Sequence, residues 1–165
     1  MKVEIKGVNE FTQKLYKLEG KTQAITKQAL YPGAKIAADA IKAQIQALPT
    51  IDNRRNVIAY MAGGEARLSN EQKEGLLSGF GLSKMKYKNG ETYIVAGFQG
   101  YNNVITKKWP KGQPNLMIAA VVEKGTSFFP ATPFYKRAIN QVKPTVIAAI
   151  QQEIDRAVAE IEKRG

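Results

Sequence analysis

The chain contains neither cysteine nor histidine in its 165 residues. It therefore cannot build a disulfide framework, a Ser-His-Asp triad, a Cys-His pair or the usual zinc sites. Aspartate is scarce as well: Asp39, Asp52 and Asp155 lie far apart, whereas carboxylate metal sites gather acids at short spacing. The closest acid pairs, Glu71/Glu74 and Glu160/Glu162, fit a solvated helical face instead. No apolar run approaches the ~20 residues needed to cross a bilayer. The opening "MKVEIKGVNEF" also lacks the apolar centre of a secretion signal. These absences predict a non-enzymatic protein without cofactor or metal, held in a cytosol and away from membranes.

What is present is an ordinary globular composition, 44% hydrophobic and 24% charged. A chain of this length can bury roughly 70% of the surface that it exposes when unfolded. One domain over residues 1–165 is expected. Lys and Arg number 25 against 14 Asp and Glu, a net charge of +11. That excess favours polyanions such as DNA, RNA or an acidic protein surface. The basic residues run along the whole chain, which fits a soluble, self-repelling surface at least as well. Local clusters stand at "KMKYK" (84–88) and "KKWPK" (107–111).

The order of elements follows from hydrophobic spacing. Val3 and Ile5 alternate with charges, as in an edge strand or an ordered arm. Phe11, Leu15, Leu18, Ile25 and Ala29, then Ile36, Ala37, Ala40, Ile41, Ile45 and Leu48, share a helical stripe. "YPG" (31–33) interrupts it, so the spacing predicts one long kinked helix or a helix pair over about 9–48. Residues 49–79 carry no strong period. The polar, glycine-rich "AGGEARLSNEQKEG" predicts a mobile loop around 50–75, a candidate to order on assembly.

A hairpin near 83–98 is expected next, with Asn89-Gly90 as its turn. In that hairpin Met85 and Tyr87 take one face, and Lys84, Lys86 and Lys88 the other. A long loop with Trp109 (99–115) leads to "LMIAAVVE", either a buried strand or a short helix. After it, Thr132 can cap and Pro133 can open a last helix. Its stripe is Phe134, Ala138, Val142, Val146, Ile150, Ile154, Ala157 and Ile161, with a kink or break near Pro144. The class is α+β, helices with one small antiparallel sheet.

Between the apolar run and the last helix lies "VEKGTSFFPATPFYKRA" (122–138). It lacks the G-x-x-x-x-G-K-[ST] spacing of a phosphate loop. It also lacks a base to activate Thr126 or Ser127. Gly125-Thr126 permits a sharp reversal, while prolines stiffen the path between phenylalanines that can each bury a large area. The segment is expected to be a stiff aromatic elbow.

This segment resembles the signature of the tail-completion, or head–tail connector, proteins of long-tailed bacteriophages and prophages. In that family a Glu-x-Gly-Thr turn and an Ala-x-Pro-Phe segment lead into the C-terminal helix. The matching positions here are Glu123, Gly125, Thr126, Ala131, Pro133 and Phe134, with Ala138 one turn on. "IKGVNEFTQKL" (5–15) and "KEGLLSGFGLSK" (73–84) resemble the family's opening and middle segments in the same order. Four positions depart from the pattern: Glu74 stands where threonine is common, Lys124 where an aromatic is common, and Pro32 and Pro144 interrupt helices that the resemblance would let run longer. The resemblance implies a virion protein of the tail or neck, assembled in the host cytoplasm. Such a protein forms a homo-oligomeric ring, completes the head-proximal end of the tail and docks neighbouring tail and neck proteins. Glu123, Gly125 and Thr126 are then expected to set the turn, and Phe128, Phe129, Pro133 and Phe134 to position the elbow. The alternative is a basic nucleic-acid-binding module, using Lys84, Lys86 and Lys88 with Lys107, Lys108 and Trp109 for non-specific contact with DNA.

Overall fold

A computed structural model of the chain describes residues 3–6 and 21–164. In chain order its elements are strand β1 (Val3–Lys6) and helices α1 (Thr22–Ala47), α2 (Asn53–Met61) and α3 (Asn70–Gly79). Strands β2 (Phe80–Leu82), β3 (Lys86–Lys88) and β4 (Glu91–Phe98) follow, then helices α4 (Asn115–Lys124) and α5 (Phe134–Arg164). The α+β class is as expected. The first part of the anticipated N-terminal helix, with Phe11, Leu15 and Leu18, falls outside the described residues.

Helix α1 decides between the two readings of its sequence: it is one helix, with Pro32 inside it. An interior proline forfeits a backbone hydrogen bond and costs ~3 kcal/mol. Burial of the flanking Ala29, Leu30 and Ala34 offsets that cost. Gly33 has a packing reason. A Cβ there would stand 2.7 Å from Ile150 Cγ1, so glycine is what admits α5 at this point. α5 likewise continues through Pro144 without a break.

β4 is the central strand. β1 pairs antiparallel with it, with Val3 opposite Ala96 and Lys6 opposite Tyr93. On β2's side, Gln99 N–H donates to Gly79 O (2.9 Å) and Ser83 N–H to Val95 O (2.7 Å). Burial along β4 alternates strictly, with Thr92, Ile94, Ala96 and Phe98 inward. The hairpin turn lies where expected, and Asn89 (φ 52°) and Gly90 (φ 79°) both take the positive φ that a type I′ turn requires. Of Met85 and Tyr87, expected on one face of the hairpin, only Met85 packs against the core. Tyr87 is 61% exposed, because every residue of the three-residue strand β3 faces solvent.

One correction and one choice between stated alternatives concern the stretches that had no clear period. The expected loop around 50–75 contains α2 and the start of α3. Asp52 starts α2, accepting from the amides of Arg54 (3.0 Å) and Arg55 (3.3 Å). Ser69 and Gln72 start α3 with a reciprocal capping box. The run "LMIAAVVE", left open between strand and helix, is helical. Pro114 precedes α4, Gly125 follows it, and Ile118, Ala119 and Val122 form its buried stripe.

The residues group into two compact units. One takes α1 as far as Ala38, Leu82–Ala96 and α5 from Gln141 onward. Its core is Ile25, Leu30, Ile94, Ile150 and Ile154, with Val146, Ala157, Val158 and Ile161 packed at the margin. The other holds Asp39–Gly81 and Gly97–Asn140. Its core includes Ile41, Ile45, Leu76, Ile118, Val122 and Phe134, and its rings run from Phe80 to Phe98 (5.1 Å) and from Phe98 to Phe134 (6.2 Å). In this second unit α3 lies close to the 99–115 segment. A Cβ at Gly79 would stand 2.3 Å from Gln99 O, and one at Gly75 2.5 Å from Asn102 Cβ.

Candidate functional site

The elbow is built by backbone geometry first. Helix α4 ends at Gly125, whose φ of 72° and ψ of 176° belong to a region open almost only to glycine. A Cβ there would also meet Ala131 N at 2.8 Å and Phe129 O at 2.9 Å. Thr126 and Phe129 then close a tight turn, with Thr126 N–H donating to Phe129 O at 2.8 Å. The return path is fixed by Thr132 N–H, which donates to Val122 O at 2.7 Å.

Glu123 acts across the elbow rather than within its turn. Its carboxylate accepts from the backbone amides of Tyr135 (2.9 Å) and Lys136 (3.0 Å), the free donors in the first turn of α5. A carboxylate at a helix N-terminus satisfies orphan amides and meets the positive end of the helix dipole. This corrects the expected cap: Glu123, in the last turn of α4, fills the role assigned to Thr132. One side chain therefore ties α4 to α5. Burial and, secondarily, the Glu123 charge push the Tyr135 hydroxyl up to about 12.

The phenylalanines part company. Phe134 is 1% exposed and belongs to the core of its unit. Phe128 is 46% exposed and meets Tyr60 of α2 edge-on, with centroids 5.3 Å apart. Phe129 is half-buried between two hollows, and Pro133 is exposed.

The larger hollow is an apolar groove of about 410 Å³ beside α2. Val57 and Tyr60 line one wall, Met117 and Val121 of α4 another, and Val104 and Phe128 complete it. The second hollow, about 360 Å³, lies between Leu48, Ile51, Leu68 and Pro130. The segment 65–68 contributes to both, with Ala66 N–H bonded to Phe128 O (2.7 Å) and Leu68 O to Ile51 N–H (3.0 Å).

Helix α2 buries no residue at all. It is held by its Asp52 cap, by the Asn56 side-chain amide bonded to both backbone groups of Arg67, and by the Tyr60–Phe128 contact. Its apolar side chains are left in solvent: Ile58 is 59% and Met61 80% exposed. The sequence pattern missed this surface, although Asp52 two residues ahead of Arg54-Arg55, and Ser69 three ahead of Gln72, are readable helix starts.

The lysines divide between the units. Lys84, Lys86 and Lys88 are exposed in one, and Lys107 and Lys108 are exposed in the other. Lys107 and Lys108 occupy a turn closed by Thr106 and Trp109, where Trp109 N–H donates to Thr106 O at 3.0 Å. Trp109 is half-buried, and Lys108 Nζ lies over its ring 5.6 Å from the centroid.

Among the described residues no helix is long and apolar enough to cross a membrane, and no group of three or more acids could hold a metal ion. No protein-family model, curated protein or solved structure matches the chain.

Proposed function

We propose that this chain is a virion structural protein that completes the head-proximal end of a phage tail and helps join it to the capsid. It acts by self-assembly and by docking neighbouring tail and neck proteins, not by catalysis. One observation carries the reading. The elbow is rigidly fixed by Glu123, Gly125 and Thr126, yet it presents Phe128 to solvent beside Tyr60 and a helix with no buried residue. Polar and conformationally special residues hold the frame, and apolar ones are left over at its surface. That distribution suits an assembly surface, since contiguous exposed apolar patches mark interaction sites. The signature residues quoted from the sequence support the phage class of the assembly.

Deletion of the gene from its phage is the direct test. The expected result is full heads and finished tails that fail to join, with joining restored by the supplied protein. Normal virions from the deletion would sink the reading. The nucleic-acid alternative rests on exposed Lys84, Lys86 and Lys88 and predicts DNA binding that falls log-linearly with salt. A ring protein sediments as an oligomer whether or not DNA is present.

A further inference from the structure

The apolar groove beside α2 has polar side chains whose own hydrogen bonds decide what they can still offer. They are Asn53, Asn56, Arg67, Gln72, Thr106 and Gln113, and Arg67 alone among the lining residues carries a charge. Asn56 commits its Oδ1 and Nδ2 to the backbone of Arg67. Gln72 Oε1 accepts from Ser69 N–H (2.9 Å), so its Nε2 is the end that donates to Gln113 Oε1 (2.7 Å). Thr106 Oγ1 accepts from Trp109 N–H (3.1 Å). The amide oxygens of Asn56, Gln72 and Gln113 are therefore occupied, while Gln113 Nε2 is left as a donor. Among the described residues the Arg67 guanidinium has no hydrogen bond or ion pair of its own.

The edge of the groove has the same sign. Arg54 and Arg55 lie between the lining residues Asn53 and Asn56, Lys107 and Lys108 follow Thr106, and all four are exposed. Counting every charge on residues 52–74 and 104–129, eight basic residues stand against five acids. Two of those acids, Asp52 and Glu123, are already bonded to helix amides. We propose that the groove binds a small amphipathic carboxylate. Its apolar body lies against Val57, Val121 and the rings of Tyr60, Phe128 and Phe129, and its head pairs with Arg67. A planar guanidinium offers a carboxylate two parallel donors, a fit that a hydroxyl cannot match. Arg67 suits the role because Asn56 of α2 fixes its backbone at both N–H and C=O, which ties the cation to the helix that walls the groove. At about 410 Å³ the groove falls within the roughly 300–1,000 Å³ of small-molecule sites. The site goes beyond the assembly reading and does not rest on it.

Decanoate and its uncharged twin decanol, titrated into the full-length protein by calorimetry, separate the two halves of the site. Decanoate is expected to saturate one site per chain and to bind about tenfold or more tightly than decanol, the margin that a charge-assisted hydrogen bond supplies. Arg67→Gln keeps the backbone that Asn56 holds. It should bring decanoate down to the level of decanol without moving decanol itself. Val121→Trp sets a large ring in the groove and should abolish both. If that variant does not fold, methyl NMR shifts of the unaltered protein decide, with Val57, Val104 and Val121 expected to move. Equal affinities for the two probes, or an Arg67→Gln variant that binds decanoate as before, overturn the carboxylate site. Shifts that miss these valines, or no saturable binding, overturn it as well. If decanoate binds only at dilutions where the chain is monomeric, the groove belongs to a second copy and the ligand falls. None of these outcomes bears on tail joining, which the gene deletion tests separately.

Discussion

Helices α2 and α3 are nearly equal in length, nine and ten residues, and occupy one stretch of chain without a hydrophobic period. Both begin at a side-chain cap. From there they diverge. α3 buries Gly75 and Leu76, and its Gly75 and Gly79 sit against Asn102, Asn115 and Gln99. α2 buries nothing and is tethered by hydrogen bonds and one ring contact. A cap and a few polar ties can hold a short helix on a folded unit without consuming its apolar side chains. α3 is thus part of the fold, whereas α2 is a surface that the fold displays. The phenylalanines of the elbow repeat the contrast, Phe134 inside and Phe128 outside.

Substitutions that treat the two sides alike should separate them. Phe134→Ala removes a core ring and is expected to cost ~3–5 kcal/mol of unfolding free energy. Phe128→Ala, at a half-exposed edge contact, should cost about 1 kcal/mol. Equal losses in denaturant titrations would erase the distinction. Leu76→Ala in α3 comes next, at ~2–5 kcal/mol. Asp52→Ala removes the cap of α2 and should cost about 1 kcal/mol. Amide exchange should then rise across Asn53–Met61 but not across α3. Smaller still, Ile58→Ser with Met61→Ser should leave unfolding free energy within about 0.5 kcal/mol while lowering self-association. A large fall in stability would show that α2 belongs to the core after all.

The last effect is confined to alkaline pH. Tyr135 has a folded-state value of about 12, against an ordinary tyrosine value of about 10. Below about 10 the phenol is protonated in both states, and its contribution is fully present. As pH rises from about 10 to 12 the unfolded chain releases the proton first, so stability falls across that window. Tyr135→Phe should flatten this part of the pH–stability curve and leave neutral pH unchanged. Parallel curves for the two proteins would dismiss the role given to burial there.

Much of the frame was legible because it depends on local chemistry. The stripe from Ala138 to Ile154 and the Asn89-Gly90 turn each follow from one periodicity or one turn rule. Thr132 and Glu123 mark where that reasoning stopped. Thr132 stands in the sequence position of a cap, but Glu123 reaches across from another helix, a bond that exists only once the elbow has closed. α2 was hidden for a related reason: a helix that buries nothing is under no pressure to show an apolar stripe.

The sequence by itself determined the chain's chemical limits, its α+β class, its hairpin turn and the reversal at Gly125 in "VEKGTSFFPATPFYKRA". Those are properties of residue type and spacing, readable over a few neighbours. Only the tertiary structure decided which phenylalanine is buried, what caps α5, that Pro32 lies inside one helix, and that α2 keeps its apolar side chains in solvent. Each of these depends on contacts between residues far apart in the chain. There, burial and long-range hydrogen bonding outweigh local preferences of about 1–3 kcal/mol.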